Sequence, residues 1–374
     1  MDHVLGQPRA VEQLQAQLAS GRVHHAQLFF GPAGTGKFTT AVAFARVRLC
    51  HQPRTDLTGR VAACGTCGSC VLFGGGGGDA DGDTRAVLAT GHPDLHVVNK
   101  ERAAFHDDKK IRDKKQTTIP VEVLRDALLG PAFLSPQLNH GKVFVVDEAH
   151  LLRGEGQNAL LKVLEEPPVG GGGTTIVLIT DREDALLPTI RSRCQRTPFV
   201  ALPGGVVADW LDRRSPGLTP ADRDWLLGFA AGSLGRAELA VQHDLAEWGR
   251  AVLPGLTNLA AGRAEGGLGP ALESRIKAFA EAWVKAHKQA SKEAANKRAA
   301  RLMFSLITGH AQRQLAAAAA GGDPAGAAAP WLAAIDAVSV AEARLAANVH
   351  LGLLCDGLVS DLARALTGRG AYAA

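Results

Sequence analysis

Residues 141–150 read GKVFVVDEAH, and this stretch decides the architecture. Val143 to Val146 are four consecutive apolar residues without polar alternation, which predicts a strand buried on both faces, as in a parallel sheet. Asp147 and Glu148 follow at once. At the carboxyl edge of such a strand an Asp can hold magnesium through water, and a Glu can orient an attacking water.

About 110 residues earlier in the chain stands GPAGTGK, from Gly31 to Lys37. It follows the mostly apolar run Ala26 to Phe30 and precedes TTAVAFARVRL, whose spacing predicts a helix ending near Cys50. A strand, a glycine turn and a helix start form a phosphate cradle. Gly31, Gly34 and Gly36 let the backbone N–H groups of the loop, that of Thr35 among them, converge on phosphate oxygens, and Lys37 adds a point charge. A nucleoside triphosphate such as ATP is the natural guest, and its diphosphate ADP would fit the same cradle. Magnesium binding needs a hydroxyl directly after the lysine, and here that residue is Phe38. Thr39 lies about 100° further round the helix and is a poor substitute. Nucleotide binding and hydrolysis are therefore separate questions.

Working outward, 154–168 has the spacing of an amphipathic helix with Ala159, Leu160, Val163 and Leu164 inward and Pro167 as terminator. TTIVLIT at 174–180 predicts a third buried strand whose tip, Thr180, would sit beside the terminal phosphate. Arg191, Arg193 and Arg196 lie on a short exposed segment before a closing strand. Upstream, 3–21 predicts a leading helix with Val11, Leu14 and Leu18 on one face, and Ile119 to Leu129 a further helix after Pro120. From about 203 the pattern is helical only. Ser233 is a candidate N-cap, with Arg236 on the next turn able to reach back to a phosphate. Ile276, Phe279, Trp283, Leu302, Phe304 and Ile307 mark buried positions, 316–330 an inter-helix linker, and a last helix runs from Ile335 to about Leu366 with Leu345, Val349 and Leu353 at core spacing.

A cluster of cysteines stands apart from this pattern. Cys64, Cys67 and Cys70 recur at every third residue, with thirteen residues separating Cys50 from Cys64. Four thiolates so spaced can close a tetrahedral shell around zinc, and with no open position the expected role is structural. His92 and His96 nearby are read as turn or surface residues. The glycine-rich stretch 74–83 is a low-complexity insertion, and 107–115 is a solvated charged loop.

The chain has 374 residues, 46% apolar and 21% charged, which suits a globular protein of two or three domains. A net charge of +4 permits a nucleic-acid partner without requiring one. The basic stretch Lys285 to Arg301 has little aromatic interleaving and is read as a solvated helix face. The N-terminus lacks a signal-peptide pattern, and no apolar run approaches the ~18 residues that span a bilayer. The expectation is a cytoplasmic protein with no membrane partner.

GQPRAVEQL, HAQLFFGPAGTGK, the four cysteines, HPDLHVV, VFVVDEAH, QNALLKVLEEPP and RSRCQ, in this order, closely resemble the bacterial replicative clamp-loader subunits of the AAA+ class, nearest the delta-prime type of DNA polymerase III. The match is nearly continuous over 3–200 and looser beyond. The resemblance implies an α/β RecA-like AAA+ domain over 1–202 with a zinc module at 50–70, a helical lid over 203–243 and an all-α collar over 244–374. It implies ATP-driven loading of a sliding clamp on primed DNA, with tau/gamma and delta subunits as partners. By the same resemblance Gly31 to Lys37 match the Walker A loop and Asp147 and Glu148 the Walker B acids. Thr180 matches sensor 1 and Arg236 sensor 2, and Cys50, Cys64, Cys67 and Cys70 the zinc ligands. Ser192, Arg193 and Cys194 match the SRC motif, in which Arg193 would be an arginine finger acting in trans. Phe38 departs from the hydrolysing subunits, so magnesium binding and hydrolysis at this chain's own site are expected to be weak or absent. The alternative is a tau/gamma-type motor subunit that hydrolyses ATP itself.

Overall fold

The computed structural model describes residues 1, 4–73, 91–113, 116–138, 140–166, 173–263, 266–286, 290–319 and 324–367. The insertion at 74–83, Lys114 and Lys115 of the charged loop, and the terminator Pro167 lie outside them. The chain divides into two compact units, Met1–Trp210 with Ala231–Gly235, and Leu211–Ala230 with Arg236–Ala374.

The first unit is built on five parallel strands in the spatial order β4-β5-β6-β1-β7. They are β1 (Ala26–Phe30), β4 (Leu95–Val98), β5 (Lys142–Val146), β6 (Thr174–Thr180) and β7 (Gln195–Pro198). The three apolar runs singled out in the sequence are its three central strands, and each is packed from both sides. Leu28, Phe144, Val146, Ile176 and Leu178 point to one face, where the helices at 121–132, 154–165 and 188–193 cover them. Phe29, Val143, Val145, Val177 and Ile179 point to the other, onto the helices Pro8–Ala19 and Lys37–Arg48. Successive strand residues alternate faces, so an unbroken apolar run is what a sheet covered on both sides demands. This is the α/β class expected, with helices flanking a parallel sheet.

Two details of this unit differ from the sequence reading. The helix after Pro120 runs on to Ala132 through a widened π-turn at Arg125–Leu129. Pro131 has no backbone N–H to donate and crowds the carbonyl one turn before it, which favours such a widening just upstream. Lys142, one residue before the expected strand Val143–Val146, begins it, is buried and donates to the carbonyls of Pro131, Ala132 and Leu134, capping that helix with its charge. Between the P-loop helix and β4 lie the hairpin of β2 (Arg54–Thr55) and β3 (Val61–Ala62) and a one-turn helix, Gly68–Leu72; Cys50 precedes the hairpin, Cys64 and Cys67 stand between it and the helix, and Cys70 lies in the helix.

The described secondary-structure elements of the second unit are all helices. Phe279 stacks on Trp283 at 5.8 Å and meets Trp248 edge-on, while Met303, Phe304, Leu306 and Ile307 are buried one after another. Leu302 is only half-buried; its neighbour Met303 takes the core position. The expected last helix from Ile335 to Leu366 is two helices, Pro324–Ala346 and Leu351–Thr367. Asn348 adopts φ 61°, and Val349 N–H closes back on the Arg344 carbonyl, a left-handed helix stop that Asn tolerates. As a result Val349 and Leu353 are exposed, and Leu345 alone of the three is core. Much of the expected linker at 316–330 is helix as well, because alanines favour it. The basic stretch is largely paired: Lys292 with Glu281, Lys297 with Glu293, and Arg298 over the Trp283 ring at 4.2 Å.

Candidate nucleotide site and metal centre

Register brings the predicted residues of the first unit to one edge of the sheet. Phe30, the residue before Gly31, pairs with Thr180, and Val146, the residue before Asp147, pairs with Leu178. The glycine loop, Asp147, Glu148 and Thr180 therefore all stand at the carboxyl ends of adjacent strands, where ligands of open parallel sheets bind.

The loop has the shape of a cradle because its glycines cannot be replaced. Gly31 has φ 138°, and a Cβ there would lie 2.1 Å from the Phe199 carbonyl oxygen. A Cβ on Gly34, at φ 70°, would lie 2.4 Å from Ser233 Oγ and 2.9 Å from Gly235 Cα. Gly36 at φ 90° starts the helix Lys37–Arg48, whose first N–H groups face the loop. Ser233 donates to the Ala33 carbonyl and Gly235 N–H to that of Gly34, which fixes the loop from the side. Buried Gln7 donates to the carbonyls of Thr35 and Val200 and accepts from Val200 N–H. Neither Gln7 nor the bond from Ser233, expected only as an N-cap, is visible in a motif, because each side chain acts on backbone groups remote in sequence.

Lys37 is folded inward, its Nζ donating to the Gly31 and Pro32 carbonyls at 2.7 and 2.6 Å. Burial lowers its pKa to about 8, against the opposing pull of Asp181 and then Asp147. Asp147 moves the other way, up to about 6, through burial first and the adjacent Glu148 second. Glu148 is held at φ 51° and takes a 2.6 Å ion pair from Lys100. Thr180 is buried, and its hydroxyl meets His150 and the Arg182 N–H. Lys100, His150 and Asp181 are further residues that spacing did not reveal; they come from separate strand ends, and only the register assembles them.

Phe38 is half-buried and packs against the core layer that contains Phe29 and Phe44. The cradle fits a polyphosphate, whereas position 38 offers no oxygen to a cation. Arg236 belongs to the second unit, where its guanidinium lies 4.8 Å over the Phe229 ring.

The segment at 192–194 is anchored by its last member. Cys194 is buried in the core, its thiol pushed up to about 12 by that burial, and Ser192 donates to the Thr189 carbonyl. Arg193 between them lies at the surface, bonded to Glu165 at 2.7 Å and to the Thr189 carbonyl at 3.1 Å. Arg196 pairs with Glu183 and covers the Phe30 ring.

The four cysteine sulfurs at 50, 64, 67 and 70 all lie within 4.8 Å of one another. Cys50 and Cys67 are 3.9 Å apart, as are Cys64 and Cys70. Sulfurs bound tetrahedrally at ~2.3 Å would be separated by roughly 3.8 Å, so the set fits zinc with little movement. Backbone N–H groups of Thr66 and Cys67 hold the Cys64 thiol down to about 5, whereas burial raises Cys50 and takes Cys70 to about 12. A divalent cation would relieve that mismatch by favouring all four thiolates. The module is tied to the sheet domain where Cys50 follows the P-loop helix, where Gln15 bonds both backbone groups of Val61, and where Ser69 meets His92 at 2.9 Å. His96 stacks on Phe144 at 4.7 Å, and burial lowers its pKa to about 4. Both histidines thus have structural places; His92, read as a surface or turn residue, is in fact buried.

A parallel sheet with this loop and these acids on one edge defines a P-loop domain of the AAA+ type. The chain belongs to the family described as DNA polymerase III, delta subunit, which matches residues 6–203. It is 34% identical over 204 residues to a DNA polymerase III subunit gamma/tau of Mycobacterium tuberculosis, covering 54% of this chain and 28% of that one. It is 34% identical over 226 residues to a subunit delta' of Pseudomonas aeruginosa (59% and 57%), and 30% over 236 residues to that of Escherichia coli (62% and 59%). The chain thus spans less than two thirds of the length of these curated relatives. A gamma subunit-related protein of Thermotoga maritima aligns over 96% of this chain and 99% of that one at 16% identity and a TM-score of 0.46; the fold assignment rests on the strand order itself.

Proposed function

We propose that this chain is a clamp-loader subunit of the delta-prime type that works mainly by placing Arg193 in a neighbouring subunit's ATP site. Its own P-loop would hold ATP or ADP through Gly31, Gly34, Thr35, Gly36 and Lys37, with Thr180 beside the terminal phosphate. Hydrolysis there would be weak or absent. The observation that carries this reading is Phe38: where magnesium needs a hydroxyl there is a half-buried phenyl ring packed against the core. Asp147 and Glu148 can still position a cation and a water, but without the second anchor the cation has no fixed place between them and the phosphates. A guanidinium acting on a phosphate held by another chain needs none of this, since it only has to neutralise developing charge.

The partners on this reading are the tau/gamma and delta subunits, the sliding clamp, and primed DNA through the assembled complex. The helices at 203–243 would serve as lid and those over 244–374 as collar. One zinc on Cys50, Cys64, Cys67 and Cys70 would staple the 50–70 module. A motor subunit of tau/gamma type is the second reading, favoured by the intact acid pair at the end of β5 and by the gamma/tau relatives. The purified chain assayed alone separates the two: background ATP turnover is expected. Robust turnover abolished by Lys37→Ala would establish the motor.

Nucleotide binding should also carry the signature of Lys37. With its pKa near 8 in the free chain, the side chain is charged below that pH and neutral above it. Phosphate needs the charged form, so ATP affinity is expected to fall about tenfold between pH 7 and pH 9, roughly one decade per unit above the pKa. Titration calorimetry at the two pH values checks this, and a flat profile would place the phosphates away from Lys37.

A further inference from the structure

We infer that His150, oriented by Asp181, sets the Thr180 hydroxyl as a hydrogen-bond donor toward the nucleotide; this rests on the reading of Thr180 as the residue beside the terminal phosphate. His150 lies in the short turn Ala149–Leu151 directly after Glu148, with a side chain only 9% exposed. Its Nδ1 stands 3.2 Å from Thr180 Oγ1 and 3.2 Å from Asp181 Oδ1.

The consequence follows from counting protons. A carboxylate can only accept, so the nitrogen facing Asp181 must carry hydrogen. A bare Nδ1 would set lone pair against lone pair. Burial lowers the His150 pKa, so the ring is a neutral imidazole with a single proton, and Asp181 decides which nitrogen has it. That N–H lies between two oxygens and donates to both. Thr180 Oγ1 also accepts the Arg182 N–H at 3.0 Å. With both lone pairs engaged, the hydroxyl has one capacity left, its own proton, and that proton must go to an acceptor outside this set. In the opposite tautomer the hydroxyl would donate to Nδ1 and have nothing to offer a ligand. Because Thr180 pairs with Phe30 at the mouth of the glycine loop, the acceptor placed to receive it is a phosphate oxygen. His150 is thus a positioning residue, and Asp181 positions it in turn.

Nitrogen-15 NMR of the histidine rings in the full, nucleotide-free chain at neutral pH tests the first step without any variant. The Nδ1–H form is expected for His150, with a shift toward Nε2–H in Asp181→Ala. An Nε2–H ring in the unaltered chain overturns the inference whatever else is found. The second step is read from the ratio of ADP to ATP dissociation constants. Thr180→Val and His150→Ala are each expected to lower the preference for ATP by about fivefold to tenfold, the worth of one hydrogen bond. His150→Asn, whose amide N–H can stand in for Nδ1–H, should restore it. If Thr180→Val moves the ratio and His150→Ala does not, the positioning role is wrong while the site stands. If Thr180→Val leaves the ratio unchanged, Thr180 does not face the phosphate, and the proposed site and this inference fail together.

Discussion

Replacing Arg193 by alanine is expected to lower ATP turnover of the reconstituted complex by about 1,000-fold or more at the site it serves, the usual worth of an arginine finger. The local price should be small. Its bond to Glu165 is an exposed ion pair, a class worth about 0–1 kcal/mol. The helix end is held by Cys194 in the core, which the substitution does not touch. Thermal melting of the isolated chain should therefore shift little while complex turnover collapses. Arg193→Lys should rescue poorly, because an ammonium cannot make the forked contact of a guanidinium with two phosphate oxygens. A variant complex with turnover near that of the parent would refute the trans role.

The second large effect is expected at the cysteines. Freshly reduced protein should contain one zinc per chain, and Cys70→Ser or a strong chelator should release it. Structural zinc sites contribute on the order of 10–16 kcal/mol of apparent binding energy in small domains. The 50–70 module has little apolar core beyond the cysteines themselves. Its loss should show as rapid proteolysis within the hairpin Arg54–Ala62, with the sheet domain still folded on its two apolar layers. Because Cys50 closes the P-loop helix, nucleotide affinity should weaken as well, though less. Substoichiometric zinc by elemental analysis, with the hairpin equally resistant to protease, would contradict the assignment.

The sheet was legible in the sequence for a physical reason. A strand covered on both faces must be apolar at consecutive positions, and 143–146 and 174–180 show that without reference to anything distant. The P-loop was legible because steric demand at Gly31 and Gly34 admits only glycine. What stayed hidden depends on contacts between remote segments. Lys100 meets Glu148, and Gln7 holds Thr35 and Val200, through pairings that local periodicity cannot express. The helical C-terminal region misled for a different reason. Alanine-rich sequence looks helical wherever it occurs, so the break at Asn348 was masked by apolar spacing that continued through it, and Val349 and Leu353 were placed inside when they face out.

The central claim is that Arg193 completes another subunit's catalytic pocket. The most direct measurement is a structure of the chain in complex with its partner subunits and a transition-state mimic of ATP hydrolysis. The guanidinium is predicted to leave Glu165 and sit within hydrogen-bond distance of the terminal phosphate analogue bound to the adjacent subunit. An Arg193 that remains on Glu165 and faces only solvent in the assembled complex would contradict the account.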